Sequence, residues 1–381
     1  MDERTRLCKI YFDLGLSYSH ILAMLSHIHS IVLSMSTLKR TLRKARLYRR
    51  KNHVDILEVA LLIEEKINSC GGQYWYRWMH LHCRHQGLNV PRDVVQNLMK
   101  IIDPIGVELR LSRRLRRRQY NGKGPDFLWH VDSYDKLKRY GLCVNGCIDG
   151  FSRCIMWLNV FTTSSDPKVI SGYYIETVRS KGGFPCFIRG DRGTENANVA
   201  QMQEFLSERR SFIYGRSTAN QRIEMFWNFL RKQCCQFWMD SLSCLVEEGL
   251  FDGYFLDRNL VQFCFLRLLQ ADLDEMAKTW NAHHIRPTKN QNCPHGRPLV
   301  MYSLPHMYNT TRYLQNLDER KADACAEECV FRGNANCDIQ IDELCRIYMI
   351  EKDWQFPCNL LEGISLYRNL RNAFQNDLDL F

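Results

Sequence analysis

Phe127-Leu-Trp-His-Val-Asp132 is an apolar run that ends on an acid, and the pattern that follows it decides the fold. Residues 128–132 predict a first strand. Residues 142–149 and 154–160 continue as a hairpin across Gly150-Phe-Ser-Arg153, 167–180 carry helical spacing, and 184–188 form a further strand. Residues 199–206 and 223–238 are helical in pattern. Strand, strand, strand, helix, strand, helix predicts an α/β core with a mixed sheet flanked by helices. Gly122-Lys-Gly124-Pro125 marks the boundary in front of it.

Two more acids stand out downstream. Cys186-Phe-Ile-Arg-Gly-Asp191-Arg-Gly-Thr-Glu-Asn196 places Asp191 where the chain leaves a strand, and Asn220-Gln-Arg-Ile-Glu224-Met-Phe-Trp227 places Glu224 at the start of a helix. Between Asp132 and Asp191 lie 58 residues, and between Asp191 and Glu224 lie 32, so only a tertiary site can use all three. Carboxylates suit phosphoryl transfer, because the reaction gathers negative charge on oxygens that two Mg²⁺ ions about 3.5–4 Å apart can clamp. Magnesium prefers one or two carboxylates plus substrate phosphates over a closed protein cage. Scattered acids with no His or Cys partner therefore fit Mg²⁺ better than Zn²⁺.

Each acid also has an ordinary reading. Asp132 can be a turn or cap residue at a strand end, with Asp135 competing for its role. Asp191 has Glu195 as its nearest rival, and Gly193 permits a sharp turn beside it. Glu224 can simply complement a helix dipole. Asp149 reads as a turn residue.

The three motifs together resemble the catalytic core of retroviral integrases and cut-and-paste transposases. Trp129 and Asp132 match the first motif, Ile148-Asp149-Gly-Phe-Ser-Arg153 the second strand, and Tyr214 to Ile223 the loop before the last acid. Thr279-Trp-Asn-Ala-His-His-Ile-Arg-Pro287 and Pro294-His-Gly-Arg-Pro298 resemble the elements that close such cores. The chain departs from the family pattern with Arg192 where Asn is usual, with no Pro-Gln pair in the loop, and with a slightly short spacing before Glu224. The resemblance, over about residues 10–310, implies a ribonuclease-H-like fold in a transposon-derived, vertebrate-type protein. It also implies Asp132, Asp191 and Glu224 as catalytic and metal-holding residues, with Asp132 and Asp191 sharing one Mg²⁺ (or Mn²⁺) and Asp132 and Glu224 the other. The expected activity is DNA cleavage and strand transfer by a nuclear protein that oligomerises with itself on double-stranded DNA. A domesticated nucleic-acid-binding protein that keeps the fold without the reaction is the alternative. A ribonuclease acting on hybrids would not need the N-terminal units described next.

The net charge of +10 is unevenly placed. Residues 1–130 carry 23 Lys and Arg against 11 Asp and Glu, and the remaining 251 residues carry 29 against 31. Such a bias is expected of a nucleic-acid-binding arm ahead of a neutral body. Residues 1–52 read as a helix-turn-helix unit in which one helix stops at Gly15, a second is capped by Ser17, and a third, opened by Ser34 or Ser36, runs to Lys51. Leu38, Leu42 and Leu47 of the third face inward, leaving Lys39, Arg40, Arg43, Lys44 and Arg46 for DNA phosphates. The stretch resembles the homeodomain-like segment of many transposases. Residues 53–122 predict a second helical unit whose basic exit, Arg110-Leu-Ser-Arg-Arg-Leu-Arg-Arg-Arg118, adds Arg113, Arg114, Arg116, Arg117 and Arg118 as DNA contacts. The core occupies 123–310, and 311–381 match nothing recognisable.

His80, His82, Cys83 and His85 cannot all point inward from one helix. Cys325, Cys329, Cys337 and Cys345 lack paired CxxC knuckles, so buried thiols are expected there rather than zinc. Seventeen cysteines without a leader predict reduced thiols. No apolar stretch is long enough to span a bilayer, and a soluble, intracellular protein is expected.

Overall fold

Cys143–Asp149 is buried along its whole length, as an interior strand covered on both faces must be. It belongs to the central sheet of the computed structural model, which describes residues 2–49, 51, 53–69, 74–111, 122–215, 220–287, 294–333 and 336–378. The backbone divides into two compact units.

The first unit comprises Met1–Leu128, Asp149–Cys154 and Lys278–Tyr313. It opens with α1 (Glu3–Asp13), α2 (Tyr18–His29) and α3 (Met35–Lys44). The turn after α1 needs Gly15, whose φ is +73°. Ser17 and Ser34 cap the next two helices by accepting from the backbone N–H of His20 and Thr37. Phe12, Leu16, Ile21, Leu25, Leu38 and Leu42 form the shared core, together with Val300 and Leu304 from the returning segment. The third helix is shorter than its sequence pattern suggests. It stops at Lys44, and Arg46 sits beyond it at a φ of 58°. The N–H of Leu47 then bonds the carbonyl of Leu42 and brings the Leu47 side chain back against the core.

Four more helices follow: α4 (Ile56–Asn68), α5 (Tyr76–His85), α6 (Arg92–Ile102) and α7 (Pro104–Leu111). His80 Nε2 is bonded to the Val90 carbonyl oxygen. His82 and Cys83 are buried. Arg84 reaches back to donate to the Phe12 carbonyl. The same unit holds a buried polar knot. Asp149 accepts from the N–H of Asp126 and from the N–H and hydroxyl of Ser152, which fixes the turn Gly150–Arg153. Asp126 in turn accepts from Arg312 Nε at 2.6 Å and the Tyr302 hydroxyl at 2.8 Å.

The second unit comprises Trp129–Ile148, Ile155–Ala277 and Leu314–Phe381. Its sheet is formed by β1 (Leu128–Tyr134), β2 (Cys143–Asp149), β3 (Ile155–Phe161), β5 (Phe187–Gly190) and β6 (Phe212–Tyr214), in the order β3-β2-β1-β5-β6. β2 and β3 pair antiparallel while β5 and β6 pair parallel, so the sheet is mixed. The helices are α8 (Pro167–Lys181), α9 (Ala197–Ser207), α10 (Gln221–Leu230), α11 (Gln236–Glu247) and α12 (Phe255–Ala282). α8 and α9 pack on the sheet through Ile170, Tyr174, Val178, Val199 and Leu206, against Trp129, Val131 and Ile188. A π-helical turn, Arg231–Cys235, separates α10 from α11.

Several local expectations need correction. Asp132 lies inside β1, which continues to Tyr134. The strand expected at 184–188 is split, because Pro185 has no N–H to offer a ladder. β4 (Gly183–Phe184) leaves the main sheet to pair with β7 (Gln315–Asn316). The three-residue β6 has no readable alternation. Beyond α13 (Pro298–Ser303), which belongs to the first unit, the unrecognised C-terminal region folds as α14 (Glu319–Glu327), α15 (Ile339–Glu351) and α16 (Leu360–Leu378). Cys325 and Cys329 of that region pack on the sheet core, and Cys337 and Cys345 are buried. No described helix is long and apolar enough to cross a membrane.

Candidate active site

Adjacency in the sheet builds the site. β1 carries Asp132, and its neighbour β5 ends at Gly190, so Asp191 is the next residue along the chain. Glu224 lies in the first turn of α10, the helix that follows β6. The three carboxylates feel one another. Burial, then the charges of Glu224 and Asp191, push Asp132 up to about 7 despite a hydrogen bond that favours its ionised form. Glu224 is also raised, by burial and by Asp191.

Neutral donors hold the acids in place. Trp227 Nε1 donates to Asp132 Oδ2 at 2.9 Å, and Trp227 sits three residues after Glu224, on the same side of α10. The helix thus brings both an acid and the donor for another acid. The indole fits because β2 has a glycine facing it: a Cβ at Gly146 would stand 2.7 Å from Trp227 Cη2. Asp191 Oδ1 accepts from Asn196 Nδ2 at 2.8 Å and from the Gly193 N–H at 3.1 Å. Among the described residues, no protein donor engages the Glu224 carboxylate.

Asn220 joins α10 to β1. Its side-chain N–H₂ donates to the Val131 carbonyl at 2.9 Å, which turns its oxygen toward His130 Nδ1, 2.6 Å away. The imidazole is the donor in that bond. Its burial lowers the pKa to about 3, so His130 is neutral at physiological pH. Residues 216–219, in the loop before α10, lie outside the described residues.

The rival acids take other places. Asp135 is exposed and accepts from the Ser164 hydroxyl at 3.3 Å. The Glu195 carboxylate folds over Gly193, where an added Cβ would meet it at 2.1 Å. Gly193 has a φ of −64°, so it serves this close approach and no left-handed turn. Asp149, in the first unit, caps its own turn.

Residues 119–307 match the integrase core domain family. The chain contains an integrase core domain of the retroviral integrase superfamily. Comparison with curated proteins gave no match. Integrase cores of this family are generally dependent on a divalent metal. The donor chemistry here fits such an ion, with oxygen ligands only and three like charges. Among the described residues, however, no three His, Cys, Asp or Glu side chains stand close enough to grip one ion as they are.

Of the basic residues expected to contact DNA, Lys39, Arg40, Arg43 and Lys44 are exposed on α3 and Arg46 is exposed just past it. Arg113, Arg114, Arg116, Arg117 and Arg118 lie outside the described residues. Sequence reasoning missed the supporting groups Trp227, Asn220, Asn196 and Gly146. Three of them close or open the quoted motifs, and that placement was the available signal.

Proposed function

We propose that the protein is a transposon-derived polynucleotidyl transferase that binds duplex DNA, cuts it and joins the freed end to target DNA. One observation carries the reading. Asp132, Asp191 and Glu224 come from two adjacent strands and the helix stapled to them, and each pair among them interacts electrostatically. Asp132 and Asp191 would hold one Mg²⁺ or Mn²⁺, and Asp132 with Glu224 a second. When bound, such ions stabilise charge on the attacking and leaving oxygens of phosphoryl transfer. The rest of the work falls to the protein. Trp227 aims one oxygen of Asp132, Asn196 and the Gly193 N–H aim Asp191, and the Asn220 bridge keeps the start of α10 on β1. Lys39, Arg40, Arg43, Lys44 and Arg46 supply phosphate contacts that place the duplex. A nuclear protein acting as a homo-oligomer on DNA is the corresponding cellular reading.

The second reading is a DNA-binding protein that has kept the fold without the reaction. Its support is that no three ligands are gathered among the described residues. Incubating the full chain with duplex DNA and Mg²⁺ or Mn²⁺ decides between them. Metal-dependent nicks support the enzyme, and binding without nicks in either metal supports the second reading.

A further inference from the structure

The 3-10 helix Asp135–Tyr140 continues directly from the strand that bears Asp132, and beyond it the second unit opens a cleft of about 580 Å³. Its walls include Lys138, Arg258, Thr162, Thr163, Gln262 and the ring of Phe255. That volume falls in the range of about 300–1,000 Å³ typical of small-ligand sites. The one carboxylate on the wall, Asp338, is occupied as the cap of α15, accepting from the N–H groups of Gln340 and Ile341. With Lys138 and Arg258 against Asp338, the lining carries one excess positive charge. Lys138 donates to the Ser165 hydroxyl at 3.3 Å. Among the described residues, the exposed Arg258 guanidinium has no carboxylate partner.

Aromatic exposure gives the cleft a second character. Phe255 is 64% exposed and its neighbour Tyr254 76% exposed, one turn before Arg258. These rings are held in place from behind. Asp257, which is buried, accepts from the Asp252 N–H at 2.9 Å and from Arg371 Nε at 3.0 Å. Tyr367 donates to the Leu250 carbonyl. Gly141, at a φ of +82°, lets the cleft floor press on α12, since a Cβ there would meet Gln262 at 2.8 Å and Arg258 at 3.4 Å. The C-terminal helix α16 thus fixes the turn that presents the rings, and Cys337 and Asp338 complete the wall.

A groove that combines cations for a backbone with exposed rings for base faces is what single-stranded nucleic acid requires. Duplex DNA keeps its base faces stacked and offers such rings nothing. Lys138 lies on the 3-10 helix that begins where β1 ends, six residues after Asp132, so the chain itself leads from the acidic site to the cleft wall. We infer that the cleft of Lys138, Phe255 and Arg258 is a single-strand subsite, where unpaired nucleotides next to the reacting phosphate stack on Phe255 and Tyr254 while Arg258 takes a phosphate. The inference rests on the DNA-processing reading above, and it gives residues 336–378 a task.

The test uses the full chain and two probes, a fluorescein-labelled oligothymidylate and a duplex of equal length. Phe255→Ala is expected to weaken oligothymidylate binding about tenfold, because stacking contributes on the order of 1–3 kcal/mol per base. Arg258→Ala should lower the log–log salt slope by about 0.7. Duplex affinity should stay within about twofold in both, since the basic face of α3 supplies it. Both side chains are exposed, so folding is not at stake. Photo-cross-linking of a bromodeoxyuridine oligonucleotide should label the peptide containing Tyr254 and Phe255. Unchanged oligothymidylate binding, equal loss on both probes, or no binding by the wild type would overturn the inference. If the wild type nicks duplex while the variants bind single strands normally, the inference fails and the enzyme reading stands. Loss of single-strand binding in a protein that never nicks leaves the subsite in place and removes the enzyme.

Discussion

Asp132→Asn should make the metal-free protein more stable at neutral pH. An ordinary aspartate titrates near 3.8, and Asp132 is held at about 7 chiefly by burial, then by Glu224 and Asp191. The folded state therefore keeps a proton that the unfolded chain has released, and stability falls as pH rises from 3.8 to about 7. At roughly 1.4 kcal/mol per pH unit, the interval of about three units sets a ceiling near 4 kcal/mol. Asn never ionises and can still accept from Trp227 Nε1, so it escapes that cost. Urea unfolding of the metal-free protein should show the variant ahead by about 2–4 kcal/mol at pH 8, with the gain shrinking by more than half toward pH 5. Divalent cation should then stabilise the wild type and leave the variant unmoved. A variant no more stable than wild type at pH 8, or a gain of equal size at pH 5, would refute the reasoning.

Trp227→Phe keeps a ring against Gly146 and Tyr134 but removes the donor to Asp132 Oδ2. A hydrogen bond to a charged acceptor contributes about 1.5–3 kcal/mol, so the carboxyl should rise further and the pH profile of metal-dependent cleavage should move alkaline by about one unit or more. An unmoved profile would show that the indole only packs. In the N-terminal helices, Arg40→Ala and Arg43→Ala should each lower the log–log salt slope of duplex binding by about 0.9 if each meets a phosphate. The metal requirement for cleavage should be the same in both variants. A slope equal to wild type would remove those side chains from the DNA interface.

The three acids could be picked out in the sequence because each has a distinctive neighbourhood. Asp132 follows an apolar run, Asp191 precedes Arg-Gly-Thr-Glu-Asn, and Glu224 opens an aromatic-rich helix. The caps Ser17 and Ser34 and the stop at Gly15 were legible for the same reason, since capping and positive φ are local properties. The supporting contacts were not. The bond from Trp227 to Asp132 spans 95 positions and that from Asn220 to Val131 spans 89, and nothing local in a Trp or Asn announces such a partner. The early end of α3 was hidden too. Residues 45–51 keep basic, helix-forming composition, and the packing of Leu47 decides where the helix stops. β6 is too short to show alternation, and the pairing of Gly183–Phe184 depends on Gln315–Asn316, more than a hundred residues away.

The most direct measurement is nicking of duplex DNA in Mg²⁺ by the wild type and by Asp191→Asn, with DNA affinity recorded on the same preparations. Asn keeps the size of the side chain and can still accept from Asn196 and the Gly193 N–H, but it removes a metal-holding charge. If the three carboxylates form a divalent-metal phosphoryl-transfer site, the wild type nicks and the variant does not, while both bind DNA within about twofold of each other. Equal nicking by the two proteins, or no metal-dependent nicking by the wild type, would contradict it.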